Sequence, residues 1–276
     1  MADLIPFERY RGGHVLTLPV LVCDRFPARF MLDTGAGISL LSRRLAERAG
    51  VVPNGQSFSG RRMSGQTITT ELATVPSLSV GTVAHQDVVV GLHDLERFFP
   101  ADAGIEGILA AQFFEPWPYA INSVSRTVRV DRGGPGPDRP KVPVEAPVFV
   151  RRNGPSVELF LDLVLPSGSV ARVEVDTGSD SLILHTRFMD ELGVNPDRAS
   201  VTTREGKDET GNSYVRYFAP IQGRVAVAAA PTIGQNDPRV MFQEIIHDGL
   251  VGDDFLRSFE VTYDIGRARL CFADPG

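Results

Sequence analysis

The tripeptide Asp-Thr-Gly occurs twice in this chain, and each copy follows a short apolar segment that is typical of a buried strand. The first copy lies in "FMLDTGAGIS" (residues 30–39) and the second in "VEVDTGSDSL" (residues 173–182). A single Asp-Thr-Gly has the composition of an ordinary turn, because Asp bonds nearby amides and Gly adopts conformations that other residues avoid. Two copies in the same setting indicate a duplicated unit, and that internal symmetry constrains the fold more than any other feature.

The residues around the two tripeptides repeat as well. Asp33 and Asp176 lie 143 residues apart, and several neighbours are identical at the same offset. A later pair of segments, "EGILAAQFF" (106–114) and "DGLVGDDFL" (248–256), is similar at an offset of 142. Each half of the chain therefore predicts a strand, the Asp-Thr-Gly turn, a short helix, several strands, an acid-Gly-apolar-apolar element and final strands. The identical positions before and after the turns are Leu16, Leu18, Ala28, Arg29, Arg44, Gly50 and Val51, which match Leu159, Leu161, Ala171, Arg172, Arg187, Gly193 and Val194.

A short helix is predicted after each Asp-Thr-Gly turn. In "SRRLAERAG" the helix has Ser42 as its N-cap and Gly50 just past its end, and both are the residues preferred at those positions. In "TRFMDELG" the corresponding residues are Thr186 and Gly193. Strand patterns dominate the rest of both halves, so the predicted class is mainly β with short helices.

A proline- and glycine-rich segment, "DRGGPGPDRPKVPVEAP" (131–147), separates the two halves. Proline and glycine at this density exclude a regular helix or a central strand, so the segment is predicted to be an extended linker. We place the boundary at Pro140. This gives an N-terminal domain of residues 1–139 with Asp33 and a C-terminal domain of residues 140–276 with Asp176.

Composition excludes several classes of protein. The net charge of −6 argues against a nucleic-acid partner, which requires a basic face. No apolar run is long enough to span a membrane. The N-terminus has no apolar signal-peptide core, so a cytoplasmic location is expected, and a periplasmic or secreted location stays open for a chain whose leader has been removed. The two cysteines, Cys23 and Cys271, are expected to be buried free thiols in strands.

The paired turn acids have a definite chemistry if symmetry brings them together at the interface of the two halves. Two carboxyl groups about 3 Å apart resist ionising together, so the pair retains one proton. One carboxylate then accepts a proton from water while its protonated partner polarises a carbonyl, which is general acid–base hydrolysis without a metal or cofactor. The five histidines form no metal-ligand motif, and no metal site is predicted.

These features resemble a bilobed aspartic peptidase of the pepsin/retropepsin fold, and the pattern is closest to a fused, single-chain retropepsin. The resemblance rests on the segments Leu32-Asp33-Thr34-Gly35-Ala36 and Val175-Asp176-Thr177-Gly178-Ser179, with Ile108-Leu109-Ala110 and Leu250-Val251-Gly252 as the later element. It implies two pseudo-twofold-related β-barrel or β-sandwich lobes with a cleft between them. It also implies catalytic Asp33 and Asp176, a bound attacking water, and bonds between Thr34 and Thr177 across the lobe interface. Gly35, Gly178 and Ser179 complete the implied support of the catalytic loops.

The sequence departs from the family pattern in the two catalytic loops. Ala110 stands where the family has a glycine, which predicts added bulk beneath the first loop. Only the second loop has a hydroxyl after its glycine, at Ser179, whereas the first has Ala36. A hydrogen bond to a carboxylate favours its charged form. We therefore expect Ser179 to make Asp176 the more acidic member of the pair.

Two polar hairpins correspond to the flaps that cover the cleft in the family, at residues 59–67 and 204–214. The first has no tyrosine, unlike pepsin-type enzymes. If both hairpins cover the cleft, an extended peptide would bond to their strands as an added strand. The candidate substrate-binding residues are Arg62, Met63, Ser64, Gly65, Gly211 and Tyr214.

The resemblance implies an aspartic endopeptidase that cleaves peptide or protein substrates in an extended conformation. Both half-sites lie in one chain, so a monomer suffices for activity, and an oligomer is not excluded. The alternative is a peptide-binding module that keeps the fold but hydrolyses little, as Ala110 and the missing tyrosine would suggest. A further alternative is a closed precursor in which residues 1–14 lie across the cleft.

Overall fold

The computed structural model describes residues 3–115, 117–132, 143–208 and 211–276. The protein is mainly β, with 54% of its residues in strands and 11% in helices, which confirms the predicted class. Among the described residues, no helix is long and apolar enough to cross a membrane.

The described part of the N-terminal half, residues 3–115 and 117–132, contains eleven strands and one α-helix. Helix α1 is Arg43–Ala49, and the 3-10 helices are Tyr10–Gly12, Leu95–Arg97, Ala101–Ala103 and Ala111–Phe114. The strands are β1 Asp3–Pro6, β2 Glu8–Arg9, β3 Leu16–Val22, β4 Phe26–Leu32, β5 Leu40–Ser42, β6 Pro53–Arg61, β7 Thr67–Val80, β8 Val83–His93, β9 Ile105–Leu109, β10 Tyr119–Asn122 and β11 Thr127–Val130.

The C-terminal half, residues 143–276, contains thirteen strands among its described residues. Helix α2 is Asp253–Leu256, and the 3-10 helices are Thr186–Phe188 and Ile265–Arg267. The strands are β12 Val144–Pro147, β13 Phe149–Asn153, β14 Ser156–Val164, β15 Val170–Val175, β16 Leu182–His185, β17 Thr202–Lys207, β18 Ser213–Pro220, β19 Arg224–Val227, β20 Ala230–Asn236, β21 Arg239–Gln243, β22 Gly249–Val251, β23 Glu260–Asp264 and β24 Arg269–Ala273.

The two halves have the same strand order in their large sheets. The N-terminal sheet runs β2-β3-β4-β9-β5-β8-β7-β6. The C-terminal sheet contains the run β14-β15-β22-β16-β21-β18-β17, with β13 paired to β14 and with β19 and β20 beyond β14. Strand directions match too, since β4–β9 and β15–β22 are both parallel, as are β5–β8 and β16–β21. In each half, two central strands therefore end at the same edge of the sheet, where the Asp-Thr-Gly turn begins.

A third sheet joins the halves. Its order is β1-β11-β10-β23-β24-β12, so three strands come from each half and β10 meets β23 at the junction. Tyr119 faces Tyr263 across this junction, and Ile121 faces Val261. At the offset of 142, position 119 corresponds to 261 and position 121 corresponds to 263. Each residue of β10 therefore pairs with the counterpart of a different β10 residue, and the pairing of the two strands is symmetric about its midpoint. The predicted domain boundary between residues 139 and 140 lies outside the described residues and stays a prediction.

Apolar side chains from both halves pack into one continuous core. Strands such as β3 and β14 contribute buried leucines on alternate positions, for example Leu16, Leu18, Leu159 and Leu161. This alternation is expected for strands with one face against a core. The cysteine prediction is correct for Cys271, which is buried in β24, and wrong for Cys23, which is half-buried in the turn after β3.

The first predicted helix is confirmed, and the second is wrong. Ser42 caps α1 by accepting a hydrogen bond from the Leu45 amide at 3.1 Å, and Gly50 ends the helix in a left-handed conformation. In the second copy, the 3-10 helix Thr186–Phe188 is followed only by turns. His185 takes the capping position there and accepts from the Arg187 amide. A segment this short gains few helical bonds, and its packing decides its conformation.

The two strands of the N-terminal segment are paired with strands of the N-terminal half. Strand β1 pairs with β11, and β2 pairs with β3. The Arg9 guanidinium reaches the C-terminal half and donates to both carboxylate oxygens of Asp253, at 2.8 and 2.9 Å. Residues 3–6 and 8–9 are thus part of the folded sheets, and the precursor alternative for residues 1–14 stays a prediction.

Replacing the cap of α1 tests this difference between the two copies. Ser42→Ala removes the acceptor for the Leu45 amide, so we expect a loss of about 1 kcal/mol in the free energy of unfolding. Thr186→Ala is the matched control. Because Thr186 caps no helix, its loss is expected to stay within about 0.5 kcal/mol in urea denaturation. Equal losses in the two variants would contradict the assignment.

Candidate active site

Asp33 and Asp176 begin two matching loops at the ends of β4 and β15. The Asp33 amide donates to the Leu109 carbonyl at 2.9 Å, and the Asp176 amide donates to the Val251 carbonyl at 3.0 Å. These bonds continue the parallel pairings of β4 with β9 and of β15 with β22. Each turn acid is therefore held at the end of a sheet, rather than on a free loop.

The two carboxyl groups lie close enough together for each to change the pKa of the other. Each lies against the glycine of the opposite loop. A Cβ added to Gly35 would lie 2.5 Å from Asp176 Cγ, and one added to Gly178 would lie 2.6 Å from Asp33 Cγ. No side chain fits at either position, so the tripeptide needs its glycine because of this close approach rather than for turn geometry alone.

Thr34 and Thr177 lock the two loops together through a reciprocal set of hydrogen bonds. The Thr34 amide donates to Thr177 Oγ1 at 3.0 Å, and the Thr177 amide donates to Thr34 Oγ1 at 3.1 Å. Each hydroxyl then donates to the carbonyl before the opposite aspartate, with Thr34 bonded to Val175 at 2.7 Å and Thr177 to Leu32 at 3.0 Å. Both threonines are buried. The bonds that the resemblance implied between these residues are present.

The two aspartates differ in their hydrogen-bond donors. Asp33 Oδ1 accepts from the amides of Gly35 at 2.9 Å and Ala36 at 3.1 Å, whereas Asp176 Oδ1 accepts from the Gly178 amide alone, at 2.7 Å. Burial raises the pKa of Asp33, and the bonds from Asp176 and the two amides oppose that rise. Burial, and then the charge of Asp33, raise the pKa of Asp176 well above its usual range. Because Asp33 has the larger number of amide donors, which favour its charged form, we assign the shared proton to Asp176.

This result reverses the expectation based on Ser179. The Ser179 hydroxyl donates to the Ser181 carbonyl at 3.4 Å and makes no bond to Asp176 in the described part of the chain. Without that donor, Asp176 lacks the stabilisation of its charged form that the expectation required. The hydrogen bond on which the expectation rested is therefore not formed, and the amide donors favour a charge on Asp33 instead.

The apolar segments beneath the two loops, residues 108–110 and 250–252, differ in the space at their last position. There is room for the methyl group of Ala110, but there is no room for one at Gly252. Ala110 is fully buried, and its amide donates to Ser39 Oγ at 3.1 Å. A Cβ on Gly252 would lie 2.6 Å from the Ser181 carbonyl oxygen and 2.7 Å from that of Ser179. The added bulk at Ala110 leaves the bond from the Asp33 amide to Leu109 in place.

Two β-hairpins extend from the large sheets, and we call them hairpin 1 (residues 53–80) and hairpin 2 (residues 202–220). The turn of hairpin 1 closes with an Arg62 amide bond to the Gln66 carbonyl at 2.8 Å. That of hairpin 2 closes with an Asp208 amide bond to the Asn212 carbonyl at 2.9 Å. A groove of about 970 Å³ lies between the two turns. Its walls include Arg62, Met63, Ser64, Gly65, Gln66, Asp208, Asn212, Tyr214, Arg216, Tyr217 and Glu244.

Hairpin 1 reaches across to the C-terminal half. The Met63 carbonyl accepts a hydrogen bond from the Ile246 amide at 3.0 Å. The Met63 side chain packs against the buried cluster of Ile183, Met241, Ile245 and Leu250. The turn of hairpin 1 is thus closed onto the segment between β21 and β22.

The structure brings most, but not all, of the predicted binding residues together. Arg62 to Gly65 and Tyr214 share the groove, whereas Gly211 lies in the turn of hairpin 2 and does not line it. Asp33 and Asp176 do not line the groove either. No group of His, Cys, Asp or Glu side chains within the described ranges could hold a metal ion.

Sequence reasoning missed the buried carboxyl of Glu174, which lies near both aspartates. It also missed the contact of Ile246 with hairpin 1 and the ion pair of Arg9 with Asp253. Glu174 had a signal in the sequence. It is an acid in an apolar strand, and at the offset of 143 it replaces Met31.

Removing one threonine hydroxyl tests the lock between the loops. Thr34→Ala leaves the Val175 carbonyl and the Thr177 amide without their buried partner, so we expect a loss of about 2 to 4 kcal/mol in the free energy of unfolding. Thr34→Ser keeps the hydroxyl and should lose less than half as much. Equal losses measured by urea denaturation would show that the methyl group, rather than the hydrogen bonds, stabilises the interface.

A single methyl at Gly252 tests the packing of the second loop. Gly252→Ala places a Cβ within contact of backbone atoms that have no room to move. We expect a loss of about 1 to 3 kcal/mol in stability. Gly266→Ala is the control, because a Cβ there meets no atom within 4 Å. A Gly252→Ala variant that melts at the same temperature as the wild type would contradict this packing.

Comparison with known proteins agrees with this geometry in the N-terminal half. Residues 18–113 match a family model described as aspartyl protease. A search of curated proteins found no match. The matched range contains Asp33, Thr34, Gly35 and the turn of hairpin 1, while Asp176 lies outside it. The match supports a protease of the aspartic family for this chain.

Proposed function

We propose that this protein is an aspartic endopeptidase in which Asp33 and Asp176 activate a water molecule between them. The close approach of the two carboxyl groups, each packed against the glycine of the opposite loop, is the observation that carries the proposal. Burying two like-charged groups together lowers the stability of a fold, so their presence indicates a functional role. The family match over residues 18–113 supports the same class of reaction.

The proposed reaction begins with one proton on the pair. Ionised Asp33 accepts a proton from water as the water oxygen bonds to the carbonyl carbon of the scissile peptide. Asp176 donates its proton to the carbonyl oxygen, which gives a neutral tetrahedral intermediate. Asp33 then returns its proton to the departing nitrogen, the C–N bond breaks, and a hydroxyl proton of the intermediate restores Asp176. Protons balance over the cycle, and no cofactor takes part.

The reaction requires the two carboxyl groups to keep their separation through every step. Hydrogen bonds between Thr34 and Thr177, with the packing of Gly35 and Gly178, supply that rigidity. Catalytic groups need to be held within a fraction of an ångström, and sites built on strand ends achieve this better than sites on free loops.

The two hairpins would hold the substrate. An extended peptide adds to an exposed hairpin as a further strand, with its backbone bonded to the protein. The turn of hairpin 1 would open from Ile246 to admit the chain, because the Met63–Ile246 bond closes the protein at that point. Tyr214 and Arg62 on the groove wall are the proposed contacts for substrate side chains. One chain carries both half-sites, so a monomer is the proposed active form.

Cleavage of a broad peptide library between pH 3 and pH 8 tests the proposal. We expect cleavage that falls toward high pH as the pair loses its last proton. Asp33→Asn and Asp176→Asn should each lower kcat/KM by at least about 1,000-fold, since each removes an acid–base group. A Glu106→Gln variant, with a carboxylate changed on β9, controls for the loss of charge.

Two outcomes would contradict the proposal. Cleavage that survives in the Asp33→Asn, Asp176→Asn double variant would locate the chemistry elsewhere. Tight binding of a statine-type inhibitor, whose hydroxyl stands in for the attacking water, without turnover of any peptide would favour the peptide-binding module instead.

A further inference from the structure

A third carboxyl group lies next to the aspartate pair. Glu174 is the second-last residue of β15 and precedes Asp176 by two residues, and its charge acts on Asp176. Glu174 is only 7% exposed. It accepts no hydrogen bond from any described residue. A carboxyl with so little access to water is harder to ionise than an exposed one, and nothing in the packing of β15 requires an acid at this position.

Most of the charged groups around Glu174 are paired with one another. On β14 and β13, Glu158 and Arg151 form an ion pair with each other. At the start of β15, Arg172 is paired with Asp162. Asp33 and Asp176 face Glu174 from the two catalytic loops. The segment before β22 contributes His247 and Asp248, and Asp248 is paired with Arg187.

His247 is the nearest candidate for a counter-ion. Its Nε2 lies 3.7 Å from Glu174 Oε2, which is too long for a hydrogen bond, and its ring packs edge-on against Phe160 at 5.1 Å. Burial, and then the charge of Arg151, lower the pKa of His247. The imidazole is therefore neutral near pH 7 and leaves Glu174 unpaired.

The N-terminal half has no such group. At the offset of 143, Glu174 corresponds to Met31, which is buried among Leu95, Ala103, Ile105 and Ile108. At the offset of 142, His247 corresponds to Ile105. An apolar contact beside Asp33 is thus replaced by an acid and an imidazole beside Asp176. A buried apolar residue such as Met31 stabilises the fold more than a buried acid does, so packing alone does not explain Glu174.

We propose that Glu174 is a positioning residue that keeps the shared proton on the Asp33–Asp176 pair to a higher pH than the pair would reach alone. It acts by electrostatics through Asp176, and His247 lies beside it at a cavity of about 300 Å³ that opens to solvent. This inference rests on the proposed function.

Three neighbouring carboxyl groups titrate as one system, and each charge formed makes the next one harder to form. Burial, followed by the charges of Glu158 and Asp33, raises the pKa of Glu174 to about 8. The charge of Glu174 in turn raises the pKa of Asp176. Removing Glu174 lowers the cost of ionising the pair, so the pair loses its last proton at a lower pH.

Carboxyl titration in Glu174→Gln tests the proposal without relying on activity. Carbon-13 NMR follows the carboxyl carbons of Asp33 and Asp176 between pH 4 and pH 10, with assignments from the two Asn variants. We expect the upper apparent pKa of the pair to fall by about half to one pH unit, a three- to tenfold loss in proton affinity. The alkaline limb of the pH profile of kcat/KM should move by the same amount.

Glu174→Met reproduces the residue found in the N-terminal half and should show the same shift, even if Gln disturbs the packing. Glu106→Gln is the matched control, because it removes a carboxylate that does not act on either aspartate, and it should leave both titrations unchanged. The folded state raises the pKa of Glu174, so its contribution to stability is lost as pH rises toward 8. The fall in melting temperature from pH 5 to pH 8 should accordingly be smaller in Glu174→Gln.

The outcomes separate this inference from the proposed function. An unchanged upper pKa in both Glu174 variants overturns the inference, whatever the activity of the protein. If wild-type protein cleaves no peptide but the NMR shift appears, the role of Glu174 stands and the endopeptidase proposal fails. If the wild-type protein cleaves peptides, but the alkaline limb of the pH profile of kcat/KM is the same in the wild type and in both Glu174 variants, the endopeptidase proposal stands and the role of Glu174 fails.

Discussion

The reciprocal hydrogen bonding of Thr34 and Thr177 is the interaction on which the rest of the site depends. Each threonine hydroxyl accepts a hydrogen bond from the threonine amide of the opposite loop. It also donates a hydrogen bond to the carbonyl of the residue before the opposite aspartate. These bonds are buried, so any separation of the loops would leave polar groups unpaired away from water. The loops are consequently pressed so close that only glycine fits against each carboxyl group.

The scaffold is symmetric, but the charge distribution is not. Strand order, strand direction and the register of β10 with β23 relate the two halves closely. In contrast, the amide donors favour a charge on Asp33, and Glu174 adds an acid only beside Asp176. A symmetric pair of carboxyl groups would have no preferred holder for one proton. The small differences between the halves favour the charged form of Asp33 and the protonated form of Asp176.

Much of the fold could be predicted from the duplicated motif and from local signals. The pairing of Asp33 with Asp176 follows from symmetry, and α1 follows from Ser42 and Gly50. The failures involve interactions that local sequence does not determine. The segment after Thr186 has helical composition, but His185 takes the cap and packing decides the rest. The Ser179 hydroxyl turns to Ser181, and no sequence pattern reveals that choice of rotamer.

Two further features depend on contacts between distant parts of the chain. Met63 meets Ile246 only because hairpin 1 crosses to the other half. The position of Glu174 was detectable by comparison with Met31, but its lack of a buried partner became clear only from the packed structure.

The sheet that joins the halves has a consequence for how the chain is made and stored. Strands β10 and β23 pair with each other in the middle of six strands, so neither has a free edge in the intact molecule. A fragment ending before the linker would expose the hydrogen-bonding edge of β10, which carries the buried side chains of Tyr119 and Ile121. Unprotected edges of this kind recruit other chains and promote aggregation. Covalent fusion supplies β23 to that edge from the same molecule, so assembly of the site does not depend on protein concentration.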